Sequence, residues 1–166
     1  AHVLNSMGDL ARCEQKYAEA RTAYEHSAAL MRELNAQPNL ASALLNLGHA
    51  CLHLGDVEQA YILFRESMAI QRILQNLPGI SECLTGFAAI AIVREMPAAG
   101  TRLLGASAAI GGKRVAVASV WYPTRMEYEH YLGLARTRLN GADFLAEQAA
   151  GQAMSLDQAI DYALNL

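Results

Sequence analysis

The chain has 166 residues, 53% hydrophobic and 17% charged, enough to hide roughly 69% of its unfolded surface and to exclude intrinsic disorder. Thirteen Lys+Arg against sixteen Asp+Glu leave a net charge of -3, which argues against a surface built to grip nucleic-acid phosphates. No apolar run reaches the roughly 18 residues of a membrane-spanning helix, and no basic-then-apolar leader opens the chain.

Taken in order, the chain repeats itself. Leu4, Met7, Gly8, Ala20, Tyr24 and Ser27 return forty residues later as Leu44, Leu47, Gly48, Ala60, Phe64 and Ser67. A weaker third copy stands at Leu84, Phe87, Ala88, Gly100, Leu104 and Ser107. The order large, large, small, small, large, small is kept without a gap. With 31 Ala and 23 Leu in the chain, each copy reads as a pair of helices. In the second copy the first helix is predicted over about Leu40 to Leu54, stopped by Gly55-Asp56. The second helix follows over about Val57 to Asn76 and ends near Pro78-Gly79, as Pro38 would end its counterpart in the first copy. The small residues at Gly8, Gly48 and Ala88, and at Ala20, Ala60 and Gly100, predict close crossings within each pair. Tyr24, Phe64 and Leu104 would fill the space beside them. The second helix of the second copy is apolar on two faces, the expectation for an element with neighbours on both sides.

Beyond the copies, Gly111-Gly112 breaks the chain, and Val115 to Tyr122 reads as either a strand-like arm or a buried loop. Pro123 opens a helix to about Leu139, which Asn140-Gly141 stops. Another helix is predicted over about Ala142 to Met154. Ser155 then caps the last one, with Gln158 in capping-box spacing. The chain thus divides into three helical pairs over residues 1–110 and an arm with capping helices over 111–166. Opening in mid-pattern at Ala1, it reads as a piece of something longer.

The segment LLNLGHACLHLGDVEQAYILF resembles the tetratricopeptide repeat: a large residue, Leu-Gly, then a downstream Ala and an aromatic. The first copy follows it except that Gln15-Lys16 stands at the usual Gly-Asp turn, and the third departs further, with Glu95-Met96-Pro97 at the turn. The period of forty exceeds the usual 34, which predicts lengthened second helices. The resemblance implies an all-α fold: a right-handed superhelix of helical hairpins with a C-terminal helical cap. The tail segments AAGTRLLGASAAI, MEYEHYLGLARTRL and ADFLAEQAAGQAMSLDQAIDYAL resemble the C-terminal repeat region of large bacterial signalling-ATPase transcriptional regulators. GGKRVAVASVWYPTR departs from that pattern.

Chemistry is hard to find in the sequence. There is no phosphate-binding glycine loop, no nucleophile elbow and no paired Cys and His in catalytic order. Cys13, Cys51 and Cys83 are odd in number and widely spaced, which fits free, buried thiols and a reducing, cytoplasmic setting. His49 and His53 share a helix face at i and i+4, but zinc needs further ligands that no motif supplies, so neither a metal nor a cofactor is implied. Trp121 and Tyr122 could anchor a partner or pack the arm onto the last repeat.

Recognition is therefore the expected function, with no enzymatic activity in this chain. The resemblance implies that the stripe turned away from the hairpin contact lines a groove for a protein or peptide partner, the chain's own upstream domains among the candidates. That stripe is Asn5, Asp9 and Arg12 in the first copy, and Leu45, His49 and Leu52, joined by His53, in the second. In the third copy it is Thr85, Ala89 and Ile92, apolar enough to predict a cover from the arm or the terminal helices. Asp9 and His49 are expected to bind a partner without contributing to stability. Self-association and a small-molecule inducer site are the alternatives; direct contact with nucleic acid or membrane is not expected.

Overall fold

The computed structural model describes residues 2–112 and 122–166. Every regular element among them is a helix: α1 His2–Cys13, α2 Tyr17–Glu33, α3 Gln37–His53, α4 Val57–Ile73, α5 Leu77–Val93, α6 Pro97–Gly111, α7 Tyr122–Arg138, α8 Gly141–Gln152 and α9 Leu156–Leu164. The all-α class is as expected. The arm predicted from Val115 lies outside the described residues up to 121.

The helices keep a stricter beat than the forty-residue copies reveal. α2, α3, α4 and α5 each contain 17 residues and start twenty apart, and α6 starts on the same beat. First and second helices are therefore lengthened alike, which corrects the expectation that only the second ones are. α4 stops at Ile73, three residues before the predicted end.

The stops of α1 to α5 share one geometry. Gln15, Asn35, Gly55, Gln75 and Glu95 have φ of 59°, 52°, 84°, 51° and 62°, the left-handed region. The amide of the next residue donates five residues back: Lys16 to Ala11 (2.8 Å), Ala36 to Met31 (2.9 Å), Asp56 to Cys51 (2.9 Å), Asn76 to Gln71 (3.0 Å) and Met96 to Ala91 (2.8 Å). With the shorter bonds Gln15 to Arg12, Asn35 to Arg32, Gly55 to Leu52, Gln75 to Arg72 and Glu95 to Ile92, these are Schellman closures. They satisfy carbonyls that a helix end otherwise orphans. Gln15-Lys16 is thus the same turn as Gly55-Asp56, built without glycine.

Pro38 and Pro78 act oppositely to expectation, whereas Pro123 stands in the first turn of α7 as expected. Pro38 stands in the first turn of α3, Pro78 is the second residue of α5, and Pro97 is the first of α6. At these positions the missing N–H costs nothing and the preset φ suits the helix. They begin helices rather than end them.

The chain divides into two compact units, residues 1–79 and 80–166. In the first, α1 packs on α2, α2 on α3 and α3 on α4. Gly8 lies against the Tyr24 ring and Gly48 against the Phe64 ring, so close that a Cβ would overlap either one. Ala20, Tyr24, Ala60 and Phe64 are wholly buried beside these crossings. Ser67 and Ser107 do more than stay small. Ser67 Oγ donates to the Ala41 carbonyl and Ser107 Oγ to the Ser81 carbonyl, both 2.8 Å and both 26 residues back. In these two pairs the hydroxyl ties the second helix to the start of its first.

In the second unit α6 packs on α8, with further contacts to α7 and α9. Gly105 faces the Gln148 carbonyl and Gly151 the Arg102 carbonyl, with no room for a Cβ at either. Arg102 adds a 2.7 Å ion pair to Glu147 and lies 5.4 Å from the centre of the Tyr162 ring. Asn140 caps α8 through the Asp143 amide (2.9 Å). Ser155 and Gln158 form the predicted capping box at the start of α9, with bonds of 3.2 and 2.9 Å.

Candidate functional site

The predicted stripe exists as a row along α1 and α3, but most of it is dry. Asp9, Arg12, Leu45, His49 and Leu52 are buried, whereas Asn5 and His53 keep partial exposure. Burial changes what the polar members can do.

Asp9 is committed to the hairpin. Its Oδ1 accepts from the Tyr24 hydroxyl at 2.7 Å and from Asn46 Nδ2 at 3.4 Å, and its Oδ2 from Asn5 Nδ2 at 3.2 Å. Burial, and after it the Asp9 carboxylate, push the Tyr24 hydroxyl well above the ordinary phenol range, against the lowering effect of Arg12. One repeat later Asp9 becomes His49 and Tyr24 becomes Phe64. The ring without a hydroxyl is met by an aromatic: His49 lies edge-on to Phe64 with centroids 5.0 Å apart. Acceptor facing Tyr24 and aromatic facing Phe64 are two solutions to the same packing position.

Arg12 closes the row at the C-terminal turn of α1. Its guanidinium lies 5.8 Å from the centre of the Tyr24 ring, within reach of a cation–π contact. Its Nε, Nη1 and Nη2 have no hydrogen-bond partner among the described residues. Asn46, between Leu45 and Leu47, belongs to the same network and was not among the predicted site residues; its Nδ2 lies 3.5 Å from Asn5 Oδ1. An amide flanked by leucines in the interior of α3 was the available signal.

His49 and His53 share a helix face but not a task. His53 stacks on Tyr17 with centroids 4.2 Å apart and planes 8° from parallel. Among the described residues no group of three or more His, Cys, Asp or Glu could hold a metal ion. The Cys51 thiol is buried, which pushes it up to about 11; Cys83 is buried too, but Cys13 is exposed, against the expectation of three buried thiols.

In the second unit, Thr85, Ala89 and Ile92 are buried. Arg138, at the end of α7, donates to the Ile92 carbonyl. Along α7, Pro123, Glu127, Tyr131 and Ala135 form one buried stripe at four-residue spacing. A cavity of about 670 Å³ lies at α8 and α9, lined by residues that include Met154, Asp161, Tyr162 and Leu166. It is an open notch at the surface. Tyr122 opens α7, and Trp121 lies outside the described residues.

No helix among the described residues is long and apolar enough to cross a membrane. Neither the curated proteins nor the solved structures include one that matches the chain. Tetratricopeptide repeats are non-catalytic and mediate protein–protein interaction. Residues 1–73 match the family model described as Tetratricopeptide repeat, and a tetratricopeptide-repeat domain over that stretch is supported.

Proposed function

We propose that this chain is an interaction or sensor module of a larger bacterial signalling ATPase that regulates transcription in the cytoplasm. The observation that carries the interaction reading is the run of repeats over residues 1–73, with its polar row along α1 and α3. The regulator reading rests on the tail motifs around RLLGA, MEYEH and SLDQAI. A partner or inducer that prefers one arrangement of the repeats would bias the attached output domain.

Within the row, partner contact falls to Asn5 and His53, the members that keep some exposure. Asp9, Arg12, Leu45 and His49 form the floor that holds them in place. A photo-crosslinking residue substituted at His53 should capture a partner, whereas one at the exposed Ala69 of α4 should not. Equal capture at both, or none at His53, sinks the groove assignment. Sequencing the gene upstream tests the regulator reading, which fails if no nucleotide-binding module is encoded there.

A further inference from the structure

Arg12 is a cation at a position that the repeat otherwise keeps apolar. Its counterparts one and two copies on are Leu52 and Ile92, both buried, and Arg12 itself is 2% exposed. Its Nε, Nη1 and Nη2 are out of reach of solvent and have no hydrogen-bond partner among the described residues. That burial is complete within this chain, so it does not depend on what precedes Ala1. A buried charge is costly unless it is paired and hydrogen-bonded, and a guanidinium does not escape the cost by losing its proton. The groups nearby do not meet this need. The Tyr24 ring lies 5.8 Å from the guanidinium carbon and offers a π face, but its hydroxyl donates to Asp9. Asp9, one turn back on α1, is the obvious counter-ion, yet its oxygens accept from Tyr24, Asn46 and Asn5 instead.

We propose that the Arg12 guanidinium is the receptor for one small monovalent anion of chloride or formate size, held inside the first hairpin. Each property of the ligand follows from the site. A guanidinium carries five N–H donors and no acceptor, which calls for a ligand that only accepts. Enclosure calls for a small one, because a group attached to a bulky molecule would not fit beneath the cover that keeps water out. The Asp9 carboxylate on the same helix face limits the ligand to a single charge, since repulsion is strong where solvent does not screen it. Bound there, the anion accepts from the orphaned N–H groups and pairs the charge that Asp9 leaves alone. Leu52 and Ile92 need no such ligand, which confines the site to the first repeat. This inference does not rest on the proposed groove, because it requires no partner protein.

The test is thermal unfolding of the 166-residue chain in mixtures of sodium chloride and sodium gluconate at one ionic strength. Gluconate carries the same charge but is too large to be enclosed. The wild-type midpoint should be higher in chloride and, once the site is occupied, rise by about 4 °C for each further tenfold, as for any ligand that binds only the folded state. Arg12→Leu restores the residue of the second repeat, so it should keep its helix content by circular dichroism and lose the chloride dependence. The chloride NMR line supplies a readout that needs no variant. The folded wild-type chain should broaden it, formate should narrow it again by displacement, and gluconate should leave it broad. Equal midpoints in the two salts, a chloride dependence that survives in Arg12→Leu, or a line on which formate and gluconate act alike would each overturn the proposal.

Discussion

Individual side chains carry much of the hairpin's specificity. Tyr24 differs from Phe64 by one hydroxyl, and Asp9 is there to receive it. Tyr24→Phe removes that donor and leaves the buried Asp9 carboxylate with two longer amide contacts, so it should destabilise the fold by about 1–3 kcal/mol, read by urea denaturation. Asp9→Ala should also lower the melting temperature, contrary to what the sequence alone predicts for a groove-facing residue. An unchanged melting temperature would return Asp9 to a purely ligand-facing role. The thiols make a second, independent prediction. Cys13 should react with a thiol reagent in the native protein while Cys51 and Cys83 stay protected until it unfolds. Because the folded Cys51 thiol is raised from 9.0 to about 11, its contribution to stability is complete below pH 9 and is lost as pH rises through about 11. Thermal scans between those limits should show a falling midpoint, with less of a fall in Cys51→Ala. The raised Tyr24 hydroxyl adds to the fall in the same direction.

Among the elements, the turns show how one backbone solution accepts different residues. Five helices end in the same left-handed closure, and only Gly55 occupies it with glycine. A side chain in that region costs about 1–2 kcal/mol, because Cβ crowds the following carbonyl. No atom lies within 4 Å of the place a Cβ would take at Gly55, so the cost there is purely conformational. Gly55→Ala should therefore lose about 1 kcal/mol, and Gln75→Gly should gain a similar amount, measured as shifts in the denaturation midpoint. Opposite signs at the two sites are the signature. If both substitutions destabilise, side-chain contacts at the turns outweigh backbone strain. These closures were half legible: Gly55-Asp56 announces one, but Gln15-Lys16 and Glu95-Met96 look like departures. The backbone bonds that form them do not depend on side-chain identity, so a residue pattern reveals only the closure that carries a glycine. Pro38 and Pro78 misled for a related reason. A proline is forbidden inside a helix and welcome in its first turn, so with turns only three residues long the same residue reads as either a stop or a start.

For the molecule, what decides packing is where backbones come closest. In the second unit Gly105 and Gly151 let α6 and α8 meet through their carbonyls. Gly151→Ala would set a methyl against the Arg102 carbonyl, which no side-chain rotation can relieve. It should cost about 1–3 kcal/mol or more. At the exposed Gly133 of α7 no atom lies within 4 Å of an added Cβ, so Gly133→Ala should be neutral or mildly stabilising. Comparing their unfolding midpoints checks the assignment, and similar losses at both would remove the case for a backbone contact at Gly151. The sequence by itself determined the helical class, the forty-residue register, the crossings at Gly8 and Gly48 and the cap at Ser155, because periodicity, small-residue spacing and capping chemistry are local. Tertiary structure alone decided that Asp9 and His49 face the buried rings of their own hairpins. A helical stripe gives an angle around the axis, and whether that angle meets water depends on elements that residue spacing does not locate.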